Sequence, residues 1–217
     1  MRFALSQGRN YVPVLACSLI SLGAWGQSAD DLLSKASARY GQAGGVSVEF
    51  AVHSRVGGGE ESFAGRLRMQ GDKFALSTPE LYIWYDGRVQ WTYWVQNEEV
   101  MVSEPTEVEL QATNPAVILR DRKGYRAKLV KEEVSPGGRA GCVIELVPIK
   151  QAAGEGAASV ITVRMEKSPP LPYQIEVKTL SGAVTRIGLQ SLKPLGGDTV
   201  FRFERSKYPS ASVIDLR

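Results

Sequence analysis

The chain has 217 residues, 43% hydrophobic and 23% charged, with a formal charge of +3. That suits one domain with a sizeable core and excludes a disordered or low-complexity chain. One histidine and two cysteines exclude a disulfide framework and leave little for a metal site or a Ser-His-Asp arrangement.

Residues 1–26 read as a secretory signal peptide. Arg2 and Arg9 stand in MRFALSQGRN with no acid, and YVPVLACSLISLGA (11–24) is apolar. Ala24-Trp25-Gly26 then puts small residues at both recognition positions of a cleavage site. Cleavage is expected before Gln27, leaving a domain over 27–217. Two alternatives stay open: an uncleaved anchor, for which the run is short, and a lipobox, Val14-Leu15-Ala16-Cys17, which would lipidate Cys17. Removing 1–26 leaves 24 basic residues against 23 acidic ones, a charge of +1. RLRMQGDK and RDRKGYRAK then read as solvated faces, and no nucleic-acid partner is expected. Cys142, in GCVIELV, reads as a small buried hydrophobe.

Ser28-Ala29-Asp30-Asp31 has the form of a capping box, and Leu32, Leu33, Ala36 and Tyr40 recur at helical spacing. This predicts a helix over 28–40. The period then changes to two. Val46, Val48, Phe50 and Val52 share one face of a strand over 46–53, and Gly57-Gly58-Gly59 turns the chain. Phe63, Gly65, Leu67 and Met69 continue the inner face, with Arg66 and Arg68 outside. Gly71-Asp72 turns again, before Phe74 and Leu76.

Asp86-Gly87 between alternating runs predicts a hairpin. A two-residue loop would pair Tyr85 with Arg88 and put Tyr82, Trp84, Val89, Trp91 and Tyr93 on one face, with Trp94 on the other. EVMVSE supplies a short strand. Asn114 caps a short helix that starts at Pro115 and carries Val117, Ile118 and Leu119. Six further strands follow, near 125–134, 141–149, 159–166, 173–180, 183–192 and 199–204. The total is about eleven strands and two helices, mostly β and antiparallel throughout.

Catalytic chemistry is poorly provided for. His53 points away from the apolar face of its strand. Neighbours such as Glu98-Glu99 and Glu132-Glu133 point to opposite sides, and no glycine run has phosphate-loop spacing. The asset left is the apolar face. A sheet of about eleven strands must curl or be covered. Periodicity does not settle whether its concave side is filled or hollow, though pattern alone favours a filled core.

The succession of helix, strand, Phe63-Ala64-Gly65-Arg66-Leu67, Gly71-Asp72-Lys73-Phe74, Asp86-Gly87 with Trp91 and Tyr93, Asn97-Glu98-Glu99-Val100 and Asn114-Pro115 resembles the periplasmic outer-membrane lipoprotein carriers of LolA type. YPSASVIDLR (208–217) is similar to the end of their shorter members. The resemblance covers roughly 28–217. It implies an incomplete, unclosed antiparallel β-barrel with short helices as a lid over a hydrophobic cavity. It also implies a monomeric, non-enzymatic carrier that shields lipoprotein acyl chains between the inner and outer membranes. No cofactor is implied. The implied partners are lipoproteins and an inner-membrane lipoprotein-releasing complex. The cavity walls would then be Val48, Phe50, Phe63, Leu67, Phe74, Leu76, Trp84, Trp91 and Tyr93, with Val117, Ile118 and Leu119 beneath the lid and help from Leu32 and Leu33.

Two departures from that family stand out. Its lid-holding arginine is absent from Gln70–Leu76, where Lys73 lacks the bidentate fork. The chain also stops where longer carriers continue into a segment tied to hand-over, which leaves the outer-membrane acceptor open. The alternative function is a lipid-sensing regulatory module of the same fold, acting through a protein partner in envelope stress signalling.

Overall fold

Strand alternation builds one sheet. The computed structural model describes residues 27–40, 44–106, 109–110, 122–151, 154, 156–197 and 199–217. Its twelve strands are β1 (Val46–Val56), β2 (Gly59–Gln70), β3 (Lys73–Ser77), β4 (Leu81–Tyr85), β5 (Gln90–Trp94), β6 (Glu99–Ser103), β7 (Tyr125–Val134), β8 (Ala140–Pro148), β9 (Ala158–Lys167), β10 (Pro170–Thr179), β11 (Val184–Pro194) and β12 (Ser212–Asp215). They lie in the order β12-β6-β5-β4-β3-β2-β1-β11-β10-β9-β8-β7. Among the described residues β7 and β12 are unjoined edges, so the barrel is incomplete. The consecutive strands β6 and β7 stand at opposite sides of this sheet.

The helix α1 (Ala29–Tyr40) lies against β10 and β7. The Ser28 hydroxyl accepts the Asp31 N–H at 3.1 Å, which satisfies one of the donors a helix start leaves free. Ala29, Leu32, Leu33, Ala36 and Tyr40 form its buried stripe. They join Val46, Val48, Leu67, Met69, Phe74, Ile83, Cys142, Ile144, Leu146, Val163, Met165 and Ile175 in one core on the concave side. The convex side of β1, β2 and β9–β11 is mostly polar. Cross-strand pairs such as Arg66–Glu49 at 3.2 Å and Arg186–Glu176 at 2.6 Å lie on it. Exposed pairs of this kind contribute about 0–1 kcal/mol each, so the core holds the sheet.

The tail departs from expectation. Residues 199–204 alternate as a strand would, but they form none. Phe201 is buried and Phe203 packs on the outside of β4. The twelfth strand comes later, at Ser212–Asp215, and pairs parallel to β6 rather than antiparallel. Residues 1–26, with the cleavage site and Cys17, lie outside the described residues, as do the expected second helix and Val117, Ile118 and Leu119.

Candidate functional site: an apolar cavity beneath the sheet

The concave side is partly hollow. A cavity of about 540 Å³ lies between α1 and strands β1–β4, β10 and β11. Val48, Phe50 and Val52 line it from β1, Phe63 and Leu67 from β2, and Leu76 from β3. Leu81 and Ile83 add β4, Ile175 adds β10, and Ile187 and Leu189 add β11. The pairing register brings these side chains together. Val52 stands opposite Phe63 and Ile187, Val48 opposite Leu67, and Leu76 opposite both Leu67 and Ile83. A bulge between Glu49 and Phe50 in the β1–β11 ladder lets Leu192 and Leu189, three residues apart, face the same side.

The rim is more polar, with Ser62, Thr78, Glu80 and Thr185. The Thr78 hydroxyl accepts the N–H groups of Glu80 at 3.3 Å and Leu81 at 3.1 Å, which fixes the β3–β4 turn there. Tyr40 closes the helix side, and burial pushes its phenol well above the usual tyrosine range, so it stays neutral.

Gly65 keeps the hollow open. A Cβ there would lie 2.5 Å from Phe50 Cζ and 2.6 Å from the Ser77 carbonyl oxygen. The Phe50 ring therefore rests on the bare backbone of β2. Gly65→Val is expected to push that ring into the cavity, at about 1–3 kcal/mol of stability. A thermal melt checks the first effect, and titration with a fluorescent fatty acid checks the loss of room.

The hollow is one of two apolar centres. Outside β4–β6, a second cluster joins Val89, Tyr93, Val100, Val102 and Ala211 with Tyr82, Trp84, Trp91, Phe203 and Tyr208. The Tyr208 ring lies 4.7 Å from Tyr93, 5.5 Å from Phe203 and 5.7 Å from Trp84, centroid to centroid. Arg202 stands over Trp91 at 5.8 Å. The tail thus covers the aromatic hairpin from the convex side.

Reactive groups are spent on structure. His53 Nδ1 is 2.8 Å from Ser62 Oγ, a cross-strand pair whose other ring nitrogen has no orienting carboxylate among the described residues. Cys142 is buried, and that burial pushes its thiol up. Burial alone would raise Glu133, but bonds from Tyr173 and Arg164 outweigh it and hold the carboxyl below its usual range. No group of three or more His, Cys, Asp or Glu could hold a metal among the described residues. Among them, no helix is long and apolar enough to cross a membrane. What the arrangement offers is a place for something apolar.

A family model described as outer membrane lipoprotein carrier protein LolA matches residues 21–135, over half of the chain. The chain belongs to the LolA family. No curated protein matches its sequence. An uncharacterized conserved protein from Thermus thermophilus shares the fold, with a TM-score of 0.54 at 11% identity over 86% of this chain and 98% of its own. A LolA superfamily protein from Nitrosomonas europaea aligns at 14% identity over 79% and 95% of the two chains, TM-score 0.42. The MucA/MucB complex of Pseudomonas aeruginosa aligns at 15% identity over 76% and 56%, TM-score 0.39.

In this LolA-family chain, Val48, Phe50, Phe63, Leu67 and Leu76 all stand in the cavity wall. Phe74 does not; it is buried in the core with its ring 5.4 Å from Tyr85. Trp84, Trp91 and Tyr93 are on the wrong side for the cavity and belong to the outer cluster. They do share one face, as the alternation predicts. The hairpin loop holds four residues, Asp86–Val89, and Asp86 Oδ1 accepts from Arg88 N at 3.0 Å and Val89 N at 2.9 Å. Trp84 therefore pairs with Trp91 and Tyr82 with Tyr93. Two extra loop residues keep the parity. What alternation cannot tell is which face is concave, because Leu81, Ile83 and Tyr85 between these aromatics are apolar too. Ile83, Ile175, Ile187 and Leu189 also stand in the wall, and alternation in YQIEVK and TRIGLQ marks the last three.

Proposed function

We propose that this LolA-family chain is a periplasmic carrier that holds the acyl chains of lipid-modified proteins on their way from the inner to the outer membrane, without making or breaking a bond. The observation that carries the reading is the apolar cavity, whose volume of about 540 Å³ falls within the about 300–1,000 Å³ common to ligand sites. Hiding an acyl chain from water gains about 0.8 kcal/mol per methylene. Broad aliphatic walls give that gain without specific polar contacts, which suits cargo that must later be released. The basic, apolar and small-residue order of residues 1–26 agrees with export. An inner-membrane releasing complex is the expected donor; the acceptor is left open.

The test is release from membranes. Spheroplasts incubated with the purified protein should yield lipoproteins in the soluble fraction, and native mass spectrometry should find them bound to it. A host depleted of the protein should strand lipoproteins at the inner membrane. Empty protein held in a stable complex with a regulator, and no stranded lipoproteins, would replace the carrier with the sensing module.

A further inference from the structure

The cavity has a mouth, a floor and a solid flank, which together limit what it can hold. The mouth lies at the Ser62, Thr78 and Thr185 end of the strands. Along β2 the wall runs inward from Phe63 to Leu67, a depth of roughly 13 Å at about 3.3 Å per residue. Beyond Leu67, Leu76 and Ile83 the rings of Phe74 and Tyr85, 5.4 Å apart, fill the concave side. On the flank α1 lies over β10 and β7, and its Leu32, Leu33 and Ala36 are fully buried in one cluster with Ile144, Leu146 and Val163. A methylene takes up roughly 30 Å³, about the share of one water molecule in the liquid. The hollow of about 540 Å³ therefore has room for about 18 of them. The mouth, in turn, is poorly equipped to hold a charged head. Among the described lining residues Glu80 alone is ionised at neutral pH, and it is exposed. The Thr78 hydroxyl is engaged by the β3–β4 turn, and those of Ser54 and Thr185 bond each other at 3.0 Å.

We infer that the site takes a single unbranched acyl chain of up to about 18 carbons, joined to the rest of its molecule through an uncharged link, and that it reads chain length rather than head group. The inference rests on the acyl-carrier reading above and sharpens it, since any second chain of the same cargo lies outside this hollow. Each methylene added below the limit tightens binding about fourfold, because one more apolar group leaves water. Methylenes beyond the limit stay in water and add nothing. A hydroxyl-lined mouth with one carboxylate leaves neutral and zwitterionic heads equally free to stand in solvent.

The purified protein is titrated with lysophosphatidylcholines of about 10 to 22 carbons, below their micelle-forming concentrations, by displacement of a fluorescent fatty acid. Affinity should rise about fourfold per carbon and level off between about 16 and 20 carbons. Native mass spectrometry should find one molecule per protein. Monoacylglycerols should give the same break point. Leu76→Trp puts a larger ring on the floor and should move the break at least about two carbons shorter. Ile187→Phe on the opposite wall is the second variant should the first fail to fold. A break outside that range, one that follows the head group or ignores the folded variant, or two molecules bound, overturns the single-chain site alone. Failure of every chain to bind overturns the acyl-carrier reading together with it.

Discussion

Leu76→Glu is expected to lower affinity for a long-chain acyl probe at least about 100-fold at pH 8, or about 2.7 kcal/mol. Leu76 lies on the cavity wall between Leu67 and Ile83. A carboxylate there must be stripped of water whenever a chain enters, and an unpaired buried charge costs several kcal/mol. The effect should depend on pH in a definite direction. An apolar surround raises a carboxyl above its ordinary value of about 4.3, because it disfavours the charged form. At pH 5 more of the variant is neutral, so affinity should partly recover, while the parent should change little. Probe titrations at the two pH values measure this. Parent-like affinity at both would place the chain elsewhere on the molecule.

Tyr208→Ala should have the other large effect, and it should be local. This one ring contacts Tyr82, Trp84, Tyr93 and Phe203. It is half-buried, so truncation should cost about 2–3 kcal/mol, below the about 3–5 of a fully buried ring. Residues 201–215 should then exchange amide hydrogens faster and become open to proteases, and emission from Trp84 and Trp91 should shift as water reaches them. Tyr208→Phe keeps the ring and should keep the tail in place. Probe affinity should be unchanged in both, because the aromatic cluster lies on the far side of the sheet from the cavity.

That separation marks the limit of what alternation reveals. In β1 it is decisive: Val46, Val48, Phe50 and Val52 alternate with less buried neighbours, so one face alone is packed, and it is the concave one. In β4 both faces are apolar, Leu81, Ile83 and Tyr85 against Tyr82 and Trp84, and period two groups side chains without saying which way a group points. The deciding fact is the tail, which brings Phe203 and Tyr208 onto the outer set. Nothing local in VFRFERSKYPS announces that packing, and FRF reads as an ordinary strand. Filled core and hollow turn out to coexist. The aromatics of the hairpin fill a separate outer cluster, while aliphatic residues of β1–β4, β10 and β11, with Phe50 and Phe63, wall the hollow.

The parallel pairing of β12 with β6 has a consequence for biogenesis. During synthesis from the N-terminal end, β4–β6 emerge long before residues 201–215, which cover them and supply their neighbour. Until then the hairpin carries bare tryptophan and tyrosine on one flank and an unpaired rim on β6, the combination that favours intermolecular association. Closing that gap is a contact between distant parts of the chain, which is a slow kind of folding step. The nascent protein should therefore depend on holding factors at the stage when its own final residues have yet to emerge.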